Sequence, residues 1–340
     1  MSIEKEIKDL INNKQYLDAI NKTDSIDMNS ELYFLRGNAF YELSMFDDAL
    51  NMFQKALELD VNCAKAYNNL GNTKANLQDL KGALDCYNKA IALDSSFSNV
   101  FVNRGLVMYN MHNVNAAIED FTHAIEINPS NYNAYNNRGN ARNDLECYED
   151  AISDFNKSIE ICPTSYCYFN RGITKELISD YEGALEDYNK TLEFDPKDML
   201  ALLKAGFIKF MLEDYQGAIE NYDKILSDDS EYVDALVCKA LAQEKLGLNE
   251  EALNIYTNIL KINPELAEIY PNRIILSVKI GNYDSAKSDI LKILDLSALE
   301  DKYNYIYSEI KNLLEDKTDS ESKNFFEETD KLFGNKVQRF

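Results

Sequence analysis

The sequence predicts an all-α repeat protein built from antiparallel helix pairs, and three observations predict it. An alanine recurs at Ala49, Ala83, Ala117, Ala151, Ala184, Ala218, Ala252 and Ala286, in steps of 34, 34, 34, 33, 34, 34 and 34 residues. A small residue keeps step with it at Gly37, Gly71, Gly105, Gly139, Gly172, Gly206 and Ala240. Twelve glycines and five prolines in 340 residues are too few for the many turns of an all-β chain. A fixed period of this length marks units that bury their apolar faces only against one another.

The units begin at Ser30, Ala64, Ser98, Tyr132, Ser165, Met199, Val233 and Ala267, which are position 1 of each. Position 4 holds Tyr33, Tyr67, Phe101, Tyr135, Tyr168, Leu202, Leu236 or Tyr270. Four residues after the alanine stands Phe53, Tyr87, Phe121, Phe155, Tyr188, Tyr222, Tyr256 or Ile290, and four further on an aliphatic residue, from Leu57 to Leu294. Intervals of three and four put these side chains on one helical face, so each unit reads as two helices. The second helix stops where Asn128-Pro129, Cys162-Pro163, Asp195-Pro196 and Asn263-Pro264 push the residue before proline out of the α region. Short segments such as Glu182-Gly183 and Asn282-Tyr283 are expected to join the two helices. The glycine and alanine columns are expected to let the two backbones approach closely, with aromatics in the flanking grooves.

The ends follow the same logic. Residues 1–29 form a shortened unit, because Tyr16-Leu17-Asp18-Ala19-Ile20 echoes Tyr148-Glu149-Asp150-Ala151-Ile152. Residues 30–300 make eight tandem units, and residues 301–340 lose the period. Ile306, Ile310 and Leu313 fit a closing helix that shields the open end of the array, followed by a tail with Phe325, Phe326, Leu332 and Phe333. Pro271 requires the first helix of the last unit to start late or kink.

This pattern, closest in Ala134 to Pro163, resembles the tetratricopeptide repeat, whose period is 34 residues. The departures are specific. No tryptophan occupies the first aromatic column, Lys74, Arg142, Lys175, Lys209, Gln243 and Ser277 stand where the family has tyrosine, and Ile274 replaces the glycine of the last unit. The resemblance implies a right-handed superhelical α-solenoid of antiparallel helix pairs, whose first helices line a concave wall that binds proteins.

Composition narrows the partners. With 35 basic and 58 acidic residues the net charge is −23, which repels nucleic-acid phosphates and anionic lipid head groups. No stretch approaches the ~18 apolar residues of a membrane helix, and the start MSIEKEIKDL lacks a signal-peptide layout, so a cytoplasmic location is expected. Cys63, Cys86, Cys147, Cys162, Cys167 and Cys238 form no CxxC and read as packing residues. His112 and His123 sit either side of an expected turn, and neither phosphate loop nor nucleophile elbow is present, so neither enzyme activity, metal nor cofactor is expected.

Two regularities remain. On the first helix, positions 2, 6, 9 and 13 form a stripe directed away from the aromatic columns. Position 6 is asparagine in four consecutive units, at Asn69, Asn103, Asn137 and Asn170, joined by Asn72, Asn140, Asn99, Asn133 and Lys65. A carboxamide both donates and accepts, so the ladder can hold the N–H and C=O of an extended peptide without reading its side chains. First helices ~10 Å apart would meet about every third residue of such a peptide. Four contacts at ~1 kcal/mol each give only millimolar affinity, so neighbouring groups must supply the rest. Position 7 carries Arg36, Arg104, Arg138, Arg171 and Arg273, while position 23 carries aspartate only in units with arginine, at Asp120, Asp154, Asp187 and Asp289. Such co-occurrence predicts struts joining the two helices of a unit.

The expected function is a protein-interaction scaffold that binds an extended peptide or protein segment, with a monomer favoured. Self-assembly, or a tail that fills its own groove, is the second reading. A co-chaperone is a third: the family's two-carboxylate clamp needs cations beside its asparagines, whereas Asn38, Asn69, Asn99 and Asn103 have only Lys65 nearby in sequence.

Overall fold

The computed structural model describes residues 3–23, 26–295, 303–315, 317 and 319–337. Among them every regular element is helical, and they belong to two compact units, 1–178 and 179–340.

In the first unit α1 (Ile3–Asn12) and α2 (Tyr16–Thr23) form the shortened pair. Ile7, Ala19 and Ile20 enter one cluster with Leu32, Leu35, Phe40 and Phe53 of the pair that follows. Then come α3 (Ser30–Glu42) with α4 (Phe46–Leu59), α5 (Ala64–Asn76) with α6 (Leu80–Leu93), and α7 (Ser98–Asn110) with α8 (Val114–Ile127). The unit closes with α9 (Tyr132–Asp144), α10 (Tyr148–Ile161) and α11 (Ser165–Leu177).

Each of these pairs turns in the same way. The first helix of a pair ends on a left-handed residue, Ser44, Gln78, His112 or Glu146, with φ of 58 to 64°. After α3, Ser44 N–H returns to Tyr41 C=O and Met45 N–H to Phe40 C=O, each at 2.9 Å, which satisfies carbonyls the helix end would leave open. The turn expected at Glu182-Gly183 therefore falls about three residues earlier, at 178–180, and the one expected at Asn282-Tyr283 about one residue earlier. Glu182 and Gly183 lie inside a helix and Tyr283 opens one, because Asp180 is the N-cap of the first of these helices and Asn282 stands immediately before the second. Asp79, Asp180 and Asp214 are such caps, accepting from the backbone N–H of Gly82, Gly183 and Gly217.

The glycine column faces a side chain. A Cβ built on Gly37, Gly105 or Gly139 would stand 2.7 to 2.8 Å from the ring of Phe53, Phe121 or Phe155, and one on Gly71 2.5 Å from Tyr87. The missing methyl makes room for the aromatic of the second helix directly over the first, instead of only bringing the two backbones together as expected. Three of the expected struts are formed. Arg104, Arg138 and Arg273 each donate from Nε and Nη2 to both carboxylate oxygens of Asp120, Asp154 and Asp289, at 2.5 to 2.9 Å. Each guanidinium also lies 5.5 to 5.7 Å from the ring at position 4. The fourth expected pair is divided between the two units, Arg171 in the first and Asp187 in the second.

The second unit opens with α12 (Tyr181–Phe194), α13 (Met199–Met211), α14 (Tyr215–Asp228), α15 (Val233–Lys245) and α16 (Asn249–Ile262). A 3-10 turn, Ala267–Ile269, precedes α17 (Tyr270–Lys279), which places Pro271 in the first turn and starts the helix late as expected. α18 (Tyr283–Asp295) completes the repeats; the side chain of Leu294 and residues 296–302 lie outside the described residues. Two helices then cover the end. α19 (Tyr303–Leu314) packs on α17, and α20 (Ser320–Val337) packs on α18 and α19. Ile306, Ile310, Leu314, Phe325 and Phe333 share one buried cluster, and Phe325 stacks on Tyr283 at 4.9 Å.

Candidate functional site

Within the first unit the first helices touch in series, α3 with α5, α5 with α7, α7 with α9 and α9 with α11. Their shared face carries the asparagine stripe. Position 13 is exposed throughout, at Glu42, Asn76, Asn110, Asp144 and Leu177, and Asn69, Asn103, Asn137 and Asn170 at position 6 are half-buried. In the second unit the same positions mix apolar with charged residues: Leu200, Phe207 and Met211 of α13 are exposed by 59, 41 and 42% and Leu241 of α15 by 38%, beside Lys204, Asp234, Lys245, Glu268 and Lys279. The asparagine surface thus belongs to residues 30–177.

The asparagines are not equivalent. Asn103 Nδ2 donates to Asn68 Oδ1 at 2.9 Å, and Asn170 Nδ2 to Asn136 Oδ1 at 3.2 Å, each bond joining position 6 to position 5 of the preceding unit. Asn69 donates to Asn38 at 2.8 Å and accepts from Asn68 at 2.9 Å. Asn72 accepts from Tyr87 at 2.8 Å, Asn99 from Asn131 at 3.2 Å and Asn133 from Tyr166 at 2.8 Å. Among the described residues Asn137 and Asn140 make no side-chain hydrogen bond, and Lys65 stands exposed without a partner. The reason is local: position 5 of the unit before Asn137 is Val102, whose side chain has no acceptor to offer.

Asn68 and Asn136, 5 and 4% exposed, are the braces that sequence reasoning missed. Their signal was the doublet in Ala66-Tyr67-Asn68-Asn69 and Ala134-Tyr135-Asn136-Asn137, whose first member lies on the inter-helix side one residue behind the stripe.

Two recesses open along this face. One, of about 430 Å³, is lined by Ile11, Tyr16, Asn38, Tyr41, Glu42, Asn69 and Asn72. The other, of about 280 Å³, is lined by Tyr109, Asn140, Asn143, Asp144, Asn170, Ile173 and Leu177. Tyr109 Oη donates to Asp144 at 2.5 Å, and loss of water together with that carboxylate pushes the phenol up to about 12. Tyr16 Oη reaches Glu42 at 3.5 Å and is likewise raised, by desolvation first and then by Glu42. Apart from Lys65, cations of these helices serve carboxylates of their own repeat. Lys74 binds Asp79, and Arg138 and Arg142 both bind Asp154.

Of the six cysteines only Cys86 and Cys167 are buried as packing residues, and Cys147, expected to pack, is exposed at the turn before α10. Cys167 is buried with Sγ 3.1 Å from Ser158 Oγ and 3.0 Å from Thr164 Oγ1, and His123 contacts Glu126. Among the described residues no group of three or more His, Cys, Asp or Glu could hold a metal ion.

Four consecutive repeats match models of the tetratricopeptide repeat, at residues 30–63, 64–97, 98–131 and 132–165. The chain is a tetratricopeptide repeat protein, a class that generally serves as a protein-interaction scaffold. Among solved structures it is similar to the C-terminal part of a TPR repeat-containing protein from Cytophaga hutchinsonii, at 20% identity and TM-score 0.53 over 69% of this chain and 98% of that one. It is also similar to a tetratricopeptide repeat protein from Parabacteroides merdae, at 17% identity and TM-score 0.51 over 71% of this chain and 95% of that one. The pilF protein of Pseudomonas aeruginosa is 17% identical with TM-score 0.52, over 61% of this chain and 94% of its own. At these identities the likeness is one of fold. No curated protein matches the sequence.

Proposed function

We propose that the first unit binds an extended polypeptide segment along the asparagine face of its first helices, and that the protein acts as a scaffold without chemistry of its own. The observation that carries this reading is the contrast within the ladder. Asn137 and Asn140 keep every donor and acceptor free, while Asn103 and Asn170 on either side are held by Asn68 and Asn136 with their carbonyls still open. Braced side chains lose little rotamer freedom when a ligand arrives, so more of each ~1 kcal/mol contact survives as affinity. The unbonded pair then supplies both halves of a peptide unit.

The second reading, a tail that fills its own groove, has no observation in its favour. The aromatic residues of α20 pack within the second unit, where Phe325 meets Tyr283 and Phe326 and Phe333 meet Tyr307. A co-chaperone clamp is opposed by the carboxylates Glu42 and Asp144 in the recesses of this face.

The test is selection of a displayed library of random 16-residue peptides against the full chain and against the Asn137→Ala, Asn140→Ala double variant. The wild type should enrich a set of peptides that the double variant loses. Equal enrichment by both rejects the groove.

A further inference from the structure

We infer that the two recesses described along the asparagine face are side-chain sites for lysine or arginine, so that the bound segment is cationic and carries two basic residues about nine positions apart. This rests on the peptide-groove reading and adds what it leaves open, the side chains that a backbone ladder cannot read.

Each recess has the parts that a long cationic side chain needs. A carboxylate at position 13 marks one end, Glu42 in the first and Asp144 in the second. An aliphatic wall stands beside it, Ile11 in one and Ile173 with Leu177 in the other, against which a methylene stem packs while its charged head reaches the carboxylate. Tyrosines complete the lining, Tyr16 and Tyr41 in the first and Tyr109 in the second, and offer aromatic faces to a cation.

Lysine and arginine have donors only, so beside the carboxylates they would use the carbonyl half of the surrounding carboxamides. In the second recess Asn140 is unbonded, Asn170 has donated its amide and keeps its carbonyl, and Asn143 Oδ1 is buried with no hydrogen-bond partner. Neither lining contains a lysine or arginine. The contrast with the rest of the face is what makes this a site and not a general acidity. Between Glu42 and Asp144 the same position 13 is Asn76 and then Asn110, which carry no charge.

The spacing follows from the repeat. Glu42 and Asp144 are three units apart, so with first helices ~10 Å from one another the carboxylates stand ~30 Å apart, a span that ~9 residues of extended chain cover.

The same 16-residue library tests it, selected against the wild type, against Glu42→Gln with Asp144→Asn, and against a control of equal charge change, Glu58→Gln with Glu119→Gln, both exposed on the second helices α4 and α8. Peptides enriched by the wild type and by the control should carry paired lysine or arginine about nine residues apart, at least about tenfold above the library. The recess variant should lose that pairing, since a hydrogen bond to a charged group is worth about a tenfold change in affinity. If the selected peptides depend on Asn137 and Asn140 but show no basic pair, or if the control loses the pair as fully as the recess variant, the inference is wrong and the groove stands. If no selection depends on Asn137 and Asn140, the groove itself fails and the inference with it.

Discussion

Asn103 Nδ2 donates to Asn68 Oδ1 at 2.9 Å across two repeats, whereas Asn137, at the same position one repeat later, has no partner. The ladder therefore divides into residues that hold the array and residues that face outward. Asn68→Ala removes a buried group that both accepts from Asn103 and donates to Asn69, and should lower stability by about 1–3 kcal/mol. Asn137→Ala should change it by less than about 0.5 kcal/mol. Urea titration of both variants measures the difference, and equal losses would contradict the division.

The struts differ in redundancy. Asp120 is 7% exposed in its side chain and its cation is Arg104, while Asp154 receives both Arg138 and, at 2.6 Å, Arg142. Arg104→Ala leaves a buried carboxylate without a cation and should cost about 3 kcal/mol. Arg138→Ala should cost clearly less, about 1–2 kcal/mol, because Arg142 remains. The two urea midpoints, read at a common slope, decide it.

The left-handed turn residues set up an opposite pair of outcomes. Gln78 and Glu146 hold φ of 64 and 59°, where a Cβ costs about 1 kcal/mol, whereas Gly247 at 78° has no atom within 4 Å of a built Cβ. Gln78→Gly and Glu146→Gly should each raise the melting temperature, and Gly247→Ala should lower it through the backbone alone. A melting temperature that falls in both glycine variants would overturn this account of the turn.

Glu244 lies against Tyr256, whose hydroxyl donates to Oε1 at 2.7 Å, and burial raises its carboxyl above the ordinary value more than that bond lowers it. A carboxyl raised on folding favours its protonated form. Its cost is absent below the unfolded value, appears as pH rises through the folded one, and persists above it. Glu244→Gln keeps an acceptor for Tyr256 without the charge, so it should melt higher than the wild type at pH 7 and match it near pH 4. A gap of the same size at both pH values would contradict the assignment.

Most of the fold was legible because period, small-residue columns and apolar spacing all report the same packing. The alanine steps located the helix pairs from α3 to α18, Arg104 with Asp120 was readable from co-occurrence, and Pro271 foretold the late start of α17. What escaped was set by neighbours rather than by offset. The turns fell early, by about three residues before Tyr181 and about one before Tyr283, because Asp180 and Asn282 precede their helices, and D-x-x-G at Asp79, Asp180 and Asp214 was the available sign. The stripe asparagines were legible as a face. Which of them is braced depends on whether the previous unit supplies Asn68, Val102 or Asn136, a relation between repeats that no single repeat displays.

The most direct measurement places a photo-cross-linking residue at Leu106, 37% exposed at position 9 of α7 on the asparagine face, or at Glu119, exposed on the second helix α8. Each is irradiated with a library-selected peptide and mapped by mass spectrometry. The account predicts a peptide adduct at position 106 and none at 119. An adduct at 119 with none at 106 would place the ligand on the other wall and contradict it.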